Sequence, residues 1–291
     1  MGYRISGLLV LCASLWQLPA LAELRVVDDA GKPVVLAGPA KRIVSLSPHL
    51  TEDLFAIGVG DRVVGAVDYS DYPAAAVSIP RVGGYSGLDL EKIRALKPDL
   101  IVAWQSGNPQ PQLARLAQLG IPVFMDNAQQ LSDVPTVLQR LGVLTGQTGQ
   151  AQLAGQQFAG KIETLRRRYA HKKAVRVFYL VWRRPLMTIN KAQIISDAMR
   201  VCGARNVFAD LPTLVPTVDE EAVIVANPEM ILNSAESGAA DLQPWKAWPS
   251  IMAVKHQQLV TLPKDLLTRM GPRLADGVAA LCQAVERARK W

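Results

Sequence analysis

A short helix–turn–strand pattern occurs twice in this chain, and this duplication constrains the fold more than any other feature. The first copy, LEKIRALKPDLIVAW, spans Leu90–Trp104, and the second, EEAVIVANPEMILNS, spans Glu220–Ser234. In each copy an amphipathic run meets a proline-marked break and continues as an apolar run, which predicts a helix, a turn and a buried strand. Glu91 and Glu221 lie at equivalent positions before the two prolines. Two copies of one αβ unit predict two similar lobes.

The rest of the pattern predicts an α/β protein with two Rossmann-like lobes and a ligand cleft between them. Near-continuous apolar strands that alternate with helical segments indicate parallel sheets covered on both faces. We expect the N-terminal lobe at residues 23–148 and the C-terminal lobe at 173–291. Residues 149–172 carry apolar side chains at spacings of three and four, which predicts a rigid connecting helix of about 30 Å. Such a helix would allow the lobes little relative motion.

Residues 1–22 have the features of a secretory signal peptide. A single charge, Arg4, precedes an apolar core too short to span a bilayer, and Ala20-Leu21-Ala22 has the form of a cleavage site. We therefore expect an exported protein. Export would leave two cysteines, Cys202 and Cys282, and an even pair in an oxidising compartment favours one disulfide. Two buried thiols are the alternative.

Composition and motifs exclude several classes of function. The formal net charge is +7, but the positive residues are scattered and form no basic helix array, so we expect no nucleic-acid partner. The sequence has no G-x-S-x-G elbow, no phosphate loop and no histidine spacing typical of a metal site. We expect neither an enzyme nor a bound metal. Of the histidines, only His49, on a loop before a helix that we expect Thr51 to cap, is a candidate for ligand contact, and a structural role is favoured even there.

Aromatic side chains are concentrated on loops that follow predicted strands. These residues are Tyr69, Tyr72, Tyr85, Trp104 and Trp182. Loops at the carboxyl ends of parallel strands are where α/β folds hold ligands, and aromatic faces stack well on flat rings. Each residue alone is equally consistent with an ordinary core or surface aromatic. The shared placement of the set indicates a site for a flat molecule.

Two pairs of charged residues have both a local and a functional interpretation. Asp265 and Arg269 are four residues apart, so an ion pair within one helix is favoured on spacing, with a polar clasp facing the cleft as the alternative. Glu91 and Glu221 each lie in the first turn of a predicted helix, where a carboxylate complements the helix dipole. Their duplication on related lobes also fits symmetric docking to a basic, two-fold partner.

Three stretches carry a resemblance to a known family: RIVSLSPHLTEDLFAIG at 42–58, DYSDYP at 68–73 and VGGYSGLDLEKIRALKPDLIVAW at 82–104. They resemble the periplasmic binding proteins that serve ABC importers of vitamin B12, iron–siderophores and haem. The resemblance runs from about residue 42 to the C-terminus. The phrases YSDYP, LKPDLIVAWQSGN and VCGARNVF are most similar to those of members that bind vitamin B12.

The resemblance implies a monomeric, non-catalytic periplasmic protein that delivers cobalamin to an inner-membrane ABC importer. Cobalamin would be the transported ligand, and no resident cofactor is implied. By position, Tyr69, Tyr85 and Trp104 would line the corrinoid site, and Asp265 and Arg269 would contact corrin side chains.

The same resemblance assigns the remaining candidates. Glu91 and Glu221 match acids that meet arginines of the permease dimer, and Cys202 and Cys282 match a disulfide pair. The sequence also departs from the family pattern. Tyr85 stands where enteric members have tryptophan. Val181 and Val215 replace aromatic residues of the second lobe, and Trp182 partly compensates for them.

Three alternatives stay open at this point. A haem or ferric-siderophore binding protein of the same importer class could use Tyr85 as a phenolate ligand to iron. An exported enzyme would need a convergent nucleophile or metal, which the sequence does not show. An exported scaffold with no small ligand would have a cleft closed by its own side chains.

Overall fold

The computed structural model describes residues 23–234 and 238–291, so the predicted signal peptide lies outside the described residues. The described chain opens with a two-stranded antiparallel sheet, formed by β1 (Leu24–Val27) and β2 (Pro33–Leu36). Gly31 adopts a φ of 73° in the connection, a conformation that favours glycine.

The first lobe is a four-stranded parallel sheet with helices on both faces. Its sheet has the order β4-β3-β7-β8, and a small antiparallel hairpin, β5-β6, lies beside it. The strands are β3 (Ile43–Ser45), β4 (Val63–Ala66), β5 (Gly83–Gly84), β6 (Gly87–Leu88), β7 (Leu100–Trp104) and β8 (Val123–Asp126). The helices are α1 (Pro48–Ala56), α2 (Leu90–Ala95), α3 (Gln110–Gln118) and α4 (Asp133–Thr145), with 3₁₀ turns at Gly60–Arg62 and Ala74–Ser78.

After the long helix α5 (Thr148–Tyr169), the second lobe repeats this topology. Its strands are β9 (Val175–Leu180), β10 (Ala204–Asn206), β11 (Met230–Asn233) and β12 (Leu259–Thr261). Its helices are α6 (Ile194–Val201), α7 (Glu220–Ala226), α8 (Met252–Lys255), α9 (Lys264–Thr268) and α10 (Leu274–Ala288), with a 3₁₀ segment at Gly238–Ala247. The strand order β10-β9-β11-β12 is parallel throughout and matches the first lobe strand for strand. The predicted α/β class with two similar lobes is confirmed, while the residue limits predicted for the lobes stay a prediction.

The duplicated unit is the same structure in both lobes. Asp89 and Asp219 cap α2 and α7, and each carboxylate accepts a hydrogen bond from the backbone N–H three residues on, at 2.9 and 2.7 Å. At the other end of each unit, Lys97 and Asn227 adopt positive φ values of 47° and 41° immediately before the proline. A left-handed residue followed by proline ends each helix and turns the chain into the buried strand.

The acid after each proline has an equivalent role. Asp99 accepts a hydrogen bond from the backbone N–H of Arg42 at 2.9 Å, just before β3. Glu229 accepts one from the backbone N–H of Arg176 at 2.8 Å, in β9. In both lobes this carboxylate therefore joins the third strand of the sheet to the first.

The connecting helix packs on both lobes, as predicted. α5 lies against α1 and α4 of the first lobe and against α6 and α10 of the second. Close approach to α4 depends on small residues, because a Cβ at Gly142 would lie 2.4 Å from the Cβ of Ala151. The disulfide between Cys202, at the end of α6, and Cys282, in α10, is formed as predicted. In the described part of the chain, no helix is both long and apolar enough to cross a bilayer.

The prediction that Thr51 caps α1 is wrong. The helix begins at Pro48, whose fixed φ suits the first turn, and Ser47 is the residue before it. Thr51 is instead fully buried, and its hydroxyl donates to the Oγ of Ser45 at 2.9 Å. The shift places one more helical turn, and the side chains on it, at the edge of the cleft.

Candidate functional site

A cavity of about 650 Å³ lies between the two lobes. Its walls come from the loops that follow β3, β4 and β7 in the first lobe and β9 and β12 in the second. The volume falls within the range of about 300–1,000 Å³ that is typical of ligand pockets. The carboxyl ends of both parallel sheets therefore meet at one hollow.

All six residues predicted to bind a ligand line this cavity: Tyr69, Tyr85, Trp104, Trp182, Asp265 and Arg269. The first three belong to the N-terminal lobe and the last three to the C-terminal lobe. Their convergence agrees with the sequence analysis. Their role in binding stays a prediction.

The two tyrosines are presented to the cavity by unusual backbone. Tyr69 follows β4 with a φ of 63°, and its side chain is 58% exposed. Tyr85 lies at the tip of the β5-β6 hairpin and is 73% exposed. A Cβ at Gly83, where φ is 112°, would lie 2.3 Å from the carbonyl oxygen of Gly87, so only glycine fits this hairpin. Both rings are therefore available to a ligand.

Trp104 is the last residue of β7, lines the cavity from the first lobe, and is fixed by its neighbours. Its backbone N–H donates to the Oδ1 of Asn108 at 2.7 Å, and the Asn108 side chain donates in turn to the carbonyl of Leu46 at 2.8 Å. A Cβ at Gly107 would overlap the indole ring at 1.8 Å, so this glycine lets the loop cross the ring. The edge of the His49 ring packs on Trp104 with centroids 5.6 Å apart.

His49 has the structural role that the sequence favours, although its ring also reaches the cavity lining. The imidazole is buried, with Nδ1 2.7 Å from the Oγ of Ser47 and Nε2 2.8 Å from the Oδ2 of Asp126. Both ring nitrogens are thus engaged by the protein. The histidine fixes the ring against which Trp104 packs.

Asp53 is a buried acid one turn along α1. Burial raises its pKa well above the usual range, and the negative charges of Asp126 and Glu52 raise it further. Its Oδ1 atom is buried without a hydrogen-bond partner among the described residues. Helix α1 therefore carries a buried carboxyl group whose neutral form is favoured.

Asp265 and Arg269 form the ion pair that their spacing predicts, with Nη2 and Oδ1 3.1 Å apart. Arg269 also contacts two acids of the other lobe, since Nη1 lies 2.9 Å from Glu52 and 2.7 Å from Asp71. Burial acts to lower the pKa of Arg269, but its hydrogen bonds to Asp71 and Glu52 outweigh that effect and raise it. The pair is therefore an i,i+4 contact and also part of a set of ion pairs at the cleft. We call this set, formed by Arg269 with Asp265, Glu52 and Asp71, the clasp.

Sequence analysis missed Glu52, which is the centre of this clasp. Its side chain is 2% exposed and accepts hydrogen bonds from Arg269 and Arg273, both in the second lobe. The Arg273 guanidinium also stacks on the ring of Tyr72, 3.7 Å from its centroid. The available signal was two adjacent acids, Glu52 and Asp53, on a short helix, and the partners of Glu52 lie more than 200 residues away in sequence.

The second-lobe wall is more aliphatic than aromatic. Val181 and Val215 both line the cavity, beside the 59% exposed ring of Trp182. The Trp182 indole N–H donates to the carbonyl oxygen of Arg184 at 2.9 Å, which orients the ring. Tyr179, which the sequence did not single out, also lines the cavity but is almost fully buried, and burial raises its pKa to about 12. Its hydroxyl bonds to Ser234.

Glu91 and Glu221 are exposed in the first turns of α2 and α7. Each helix precedes the strand of its own unit, so its N-terminus lies at the carboxyl edge of the sheet, where the cavity opens. No ion pair is formed by either glutamate within the described residues. Both carboxylates are accessible at equivalent places on the two lobes.

Residues 43–266 match the model of a family described as periplasmic binding protein. The chain belongs to this family. It is a family of binding proteins rather than enzymes. The chain is 36% identical to the vitamin B12-binding protein of Vibrio cholerae over 253 aligned residues. The aligned region covers 87% of this chain and 91% of that protein.

Solved structures show the same fold. The crystal structure of the periplasmic vitamin B12-binding protein of Vibrio cholerae matches with a TM-score of 0.82 and 35% identity, over 87% of this chain and 99% of that one. A periplasmic haem-binding protein from Roseiflexus matches with a TM-score of 0.77 over 86% of this chain and 99% of its own length. At 23% identity, the second likeness concerns the fold alone.

Proposed function

We propose that this protein binds cobalamin in the periplasm and delivers it to an ABC importer of the inner membrane. The observation that supports this most strongly is the convergence of loop aromatics and one polar pair from both lobes on a single cavity. The identity to curated vitamin B12-binding proteins points to the same ligand. No bond in the ligand is made or broken, and cobalamin is cargo rather than a cofactor.

The arrangement suits a large flat molecule held between two walls. Tyr69, Tyr85 and Trp104 offer ring faces from the first lobe, while Trp182 and aliphatic side chains cover the other side. Aromatic faces give large contact area at little cost in conformational entropy. The clasp around Arg269 lies at one end and provides polar contacts. Because α5 and this clasp both join the lobes, binding involves only a small closure.

Delivery requires recognition by the importer. Glu91 and Glu221 are our candidates for docking to arginines of a permease dimer, since equivalent acids on two similar lobes match a partner with two-fold symmetry. Residues 1–22 act as the signal peptide in this account, and the mature protein works as a periplasmic monomer. The disulfide is consistent with an oxidising compartment.

Haem or a ferric siderophore is the second candidate, and the specific observation in its favour is Tyr85. Its phenol is 73% exposed at the cavity and could coordinate iron, whereas a corrinoid would use only the ring face. A Tyr85→Phe variant separates the two. Loss of a phenolate-to-iron charge-transfer band would establish iron coordination, and unchanged corrinoid binding would support stacking.

The absorbance spectrum of the protein purified from its native compartment tests the proposal. We expect the bands of a corrinoid, which are readily told apart from the Soret band of a haem. A haem spectrum that disappears in the Tyr85→Phe variant would overturn the assignment to cobalamin in favour of the second candidate.

A further inference from the structure

Two segments that meet at one end of the second lobe carry the excess positive charge of this protein. Residues 163–173 include the end of α5 and lead into β9, and residues 286–291 include the end of α10. Together they hold eight arginines and lysines against two glutamates. This excess of six accounts for the entire net charge, which is +7 for the full sequence and loses one unit with Arg4 of the predicted signal peptide. The side chains of the remaining residues are therefore neutral overall.

Arg289 brings the two segments together. Its Nε donates to the carbonyl oxygen of Lys173 at 2.7 Å, and its guanidinium lies 5.6 Å from the centroid of the Tyr169 ring. A second link joins Lys172 to Glu286 of α10, with Nζ and Oε1 3.2 Å apart. The eight cations therefore share one surface. We call this surface the basic end, and it consists of Arg166, Arg167, Arg168, Lys172, Lys173, Arg287, Arg289 and Lys290.

Half of these cations form no ion pair with any residue that the structure describes. The two acids of the segments, Glu163 and Glu286, pair with the other half. The unpaired members are Arg168, Lys173, Arg287 and Lys290, and all are exposed. An excess of like charge that the fold does not neutralise acts against the compact state by self-repulsion and attracts anionic partners. The basic end is therefore a candidate interaction surface.

An exposed aromatic side chain borders the basic end. Trp291 directly follows Lys290 and is 64% exposed, and its ring stacks on His256 with centroids 5.4 Å apart and an interplanar angle of 15°. Tryptophan beside lysine and arginine is the combination favoured at the headgroup level of a membrane. An acidic protein surface gains less from it, because the negative face of an indole ring repels carboxylates. The ring favours a phospholipid surface as the partner.

The basic end lies at the amino end of the second-lobe sheet, away from the cavity. Lys173 comes two residues before β9, whereas Val181, directly after β9, lines the cavity. None of the eight cations belongs to the cavity lining. A membrane at the basic end therefore leaves the cleft open. Its negative charge also repels Glu91 and Glu221, which lie at the carboxyl edges of the sheets.

We propose that the basic end binds the phosphate headgroups of an anionic phospholipid membrane, with Trp291 at the headgroup level. Each lysine or arginine near an anionic bilayer surface strengthens binding by about fivefold, and salt screens the attraction. The bound protein lies at the membrane with its cleft directed away from the lipid and accessible to a ligand. This inference goes beyond the proposed function, since it concerns a face that takes no part in ligand binding.

Co-sedimentation of the mature protein with lipid vesicles tests the proposal. The anionic vesicles contain equal parts of phosphatidylglycerol and phosphatidylethanolamine, and vesicles of phosphatidylcholine alone are the neutral comparison. The basic-end variant replaces four cations by glutamine: Arg168, Lys173, Arg287 and Lys290. The matched control replaces four exposed cations of the first lobe by glutamine: Arg25, Lys32, Arg94 and Arg115. Both variants lose the same charge, so a difference between them reports where the charge lies, and thermal melting establishes that each is folded.

We expect the wild type to bind the anionic vesicles at low salt, to ignore the neutral ones, and to be released at about 0.5 M salt. The basic-end variant should bind about a hundredfold more weakly, and Trp291→Ala should bind about threefold more weakly. The control should stay within about threefold of the wild type. Each of these results would support the proposal.

Three results would overturn the proposal. They are equal losses in the basic-end variant and the control, no binding of the wild type to anionic vesicles at low salt, and binding to polyglutamate without binding to vesicles. The last result would favour an acidic protein as the partner. Because no residue of the basic end lines the cavity, all three would leave the proposed function unaffected.

Discussion

Glu52 of the first lobe and Arg273 of the second lobe form a two-pronged ion pair across the cleft, with Nη2–Oε1 and Nε–Oε2 distances of 2.6 and 2.8 Å. Arg269 adds a third contact to the same carboxylate at 2.9 Å. This buried contact, together with the helix α5, fixes how the lobes face each other. It therefore also fixes the shape of the cavity between them.

Glu52→Gln should destabilise the protein by about 3 kcal/mol, because it leaves two partly buried guanidinium groups without their central anion. Urea unfolding at neutral pH measures the change. Glu163→Gln is the matched control, since among the described residues Glu163 pairs with Arg166 and Arg167 on the exposed face of α5, and its loss should leave the free energy of unfolding close to the wild-type value. Equal losses for the two variants would contradict the role given to Glu52.

Trp104→Ala should weaken cyanocobalamin binding by about tenfold or more, because it removes the best-anchored ring face of the first-lobe wall. Titration calorimetry gives the ratio. Trp248→Ala removes a partly exposed tryptophan outside the cavity and should leave the affinity unchanged. If both variants lose affinity equally, Trp104 acts through folding and is not part of the ligand site.

Replacing Asp53 by asparagine should change how stability depends on pH. The folded protein holds the pKa of Asp53 above its ordinary value, so between about pH 4 and that raised pKa the folded state keeps a proton that the unfolded state has lost. In this window the wild-type free energy of unfolding falls as pH rises, by up to about 1.4 kcal/mol per pH unit from this group. The Asp53→Asn variant lacks this pH-dependent contribution to the free energy of unfolding.

The Asp53→Asn variant should therefore gain stability relative to the wild type as pH rises from 4 to 8. Denaturant unfolding at several pH values gives both curves. Parallel curves would show that Asp53 titrates normally in the folded protein.

The double variant Glu91→Gln, Glu221→Gln should weaken association with the importer while cyanocobalamin affinity stays at the wild-type level. Both carboxylates are exposed and outside the cavity, so only the docking surface changes. Binding to detergent-solubilised permease at low and moderate salt measures the effect, with Glu163→Gln as a control that removes one exposed carboxylate elsewhere on the surface. A full-strength complex in the double variant would remove these residues from the docking surface.

Removing the disulfide by Cys202→Ala with Cys282→Ala should cost about 4 kcal/mol, as expected for a bridge that closes a loop of about 80 residues. The bridge lies wholly in the second lobe, between the end of α6 and α10. Urea unfolding of the double variant measures the loss. A change below about 1 kcal/mol would show that packing of the two helices already holds this part of the lobe.

The parts of the fold that sequence predicts well are those with a local signal. The two αβ units, the long helix α5 and the buried strands are specified by apolar periodicity and proline breaks within short windows. The start of α1 was misplaced because Thr51 is a plausible cap by residue type, whereas Pro48 begins the helix. Short elements such as β10 and the β5-β6 hairpin have too few residues to show a period.

The residues of the candidate site also fall into two groups, those with a local sequence signal and those without one. Tyr69, Trp104 and Trp182 could be found because each lies at or just after the carboxyl end of a strand, and parallel sheets bring those ends together. Glu52 and Asp71 could not, because their significance comes from Arg269 and Arg273 in the other lobe. Spacing along one chain contains no information about which carboxylate meets which arginine across a cleft.

Calorimetric titration of the ligand-free wild-type protein with cyanocobalamin tests the central claim most directly. We expect saturable binding of one molecule per chain, with a negative heat-capacity change from burial of the aromatic walls. Absence of any binding heat at high protein concentration, at more than one temperature, would contradict the claim that the cavity between the lobes holds a corrinoid.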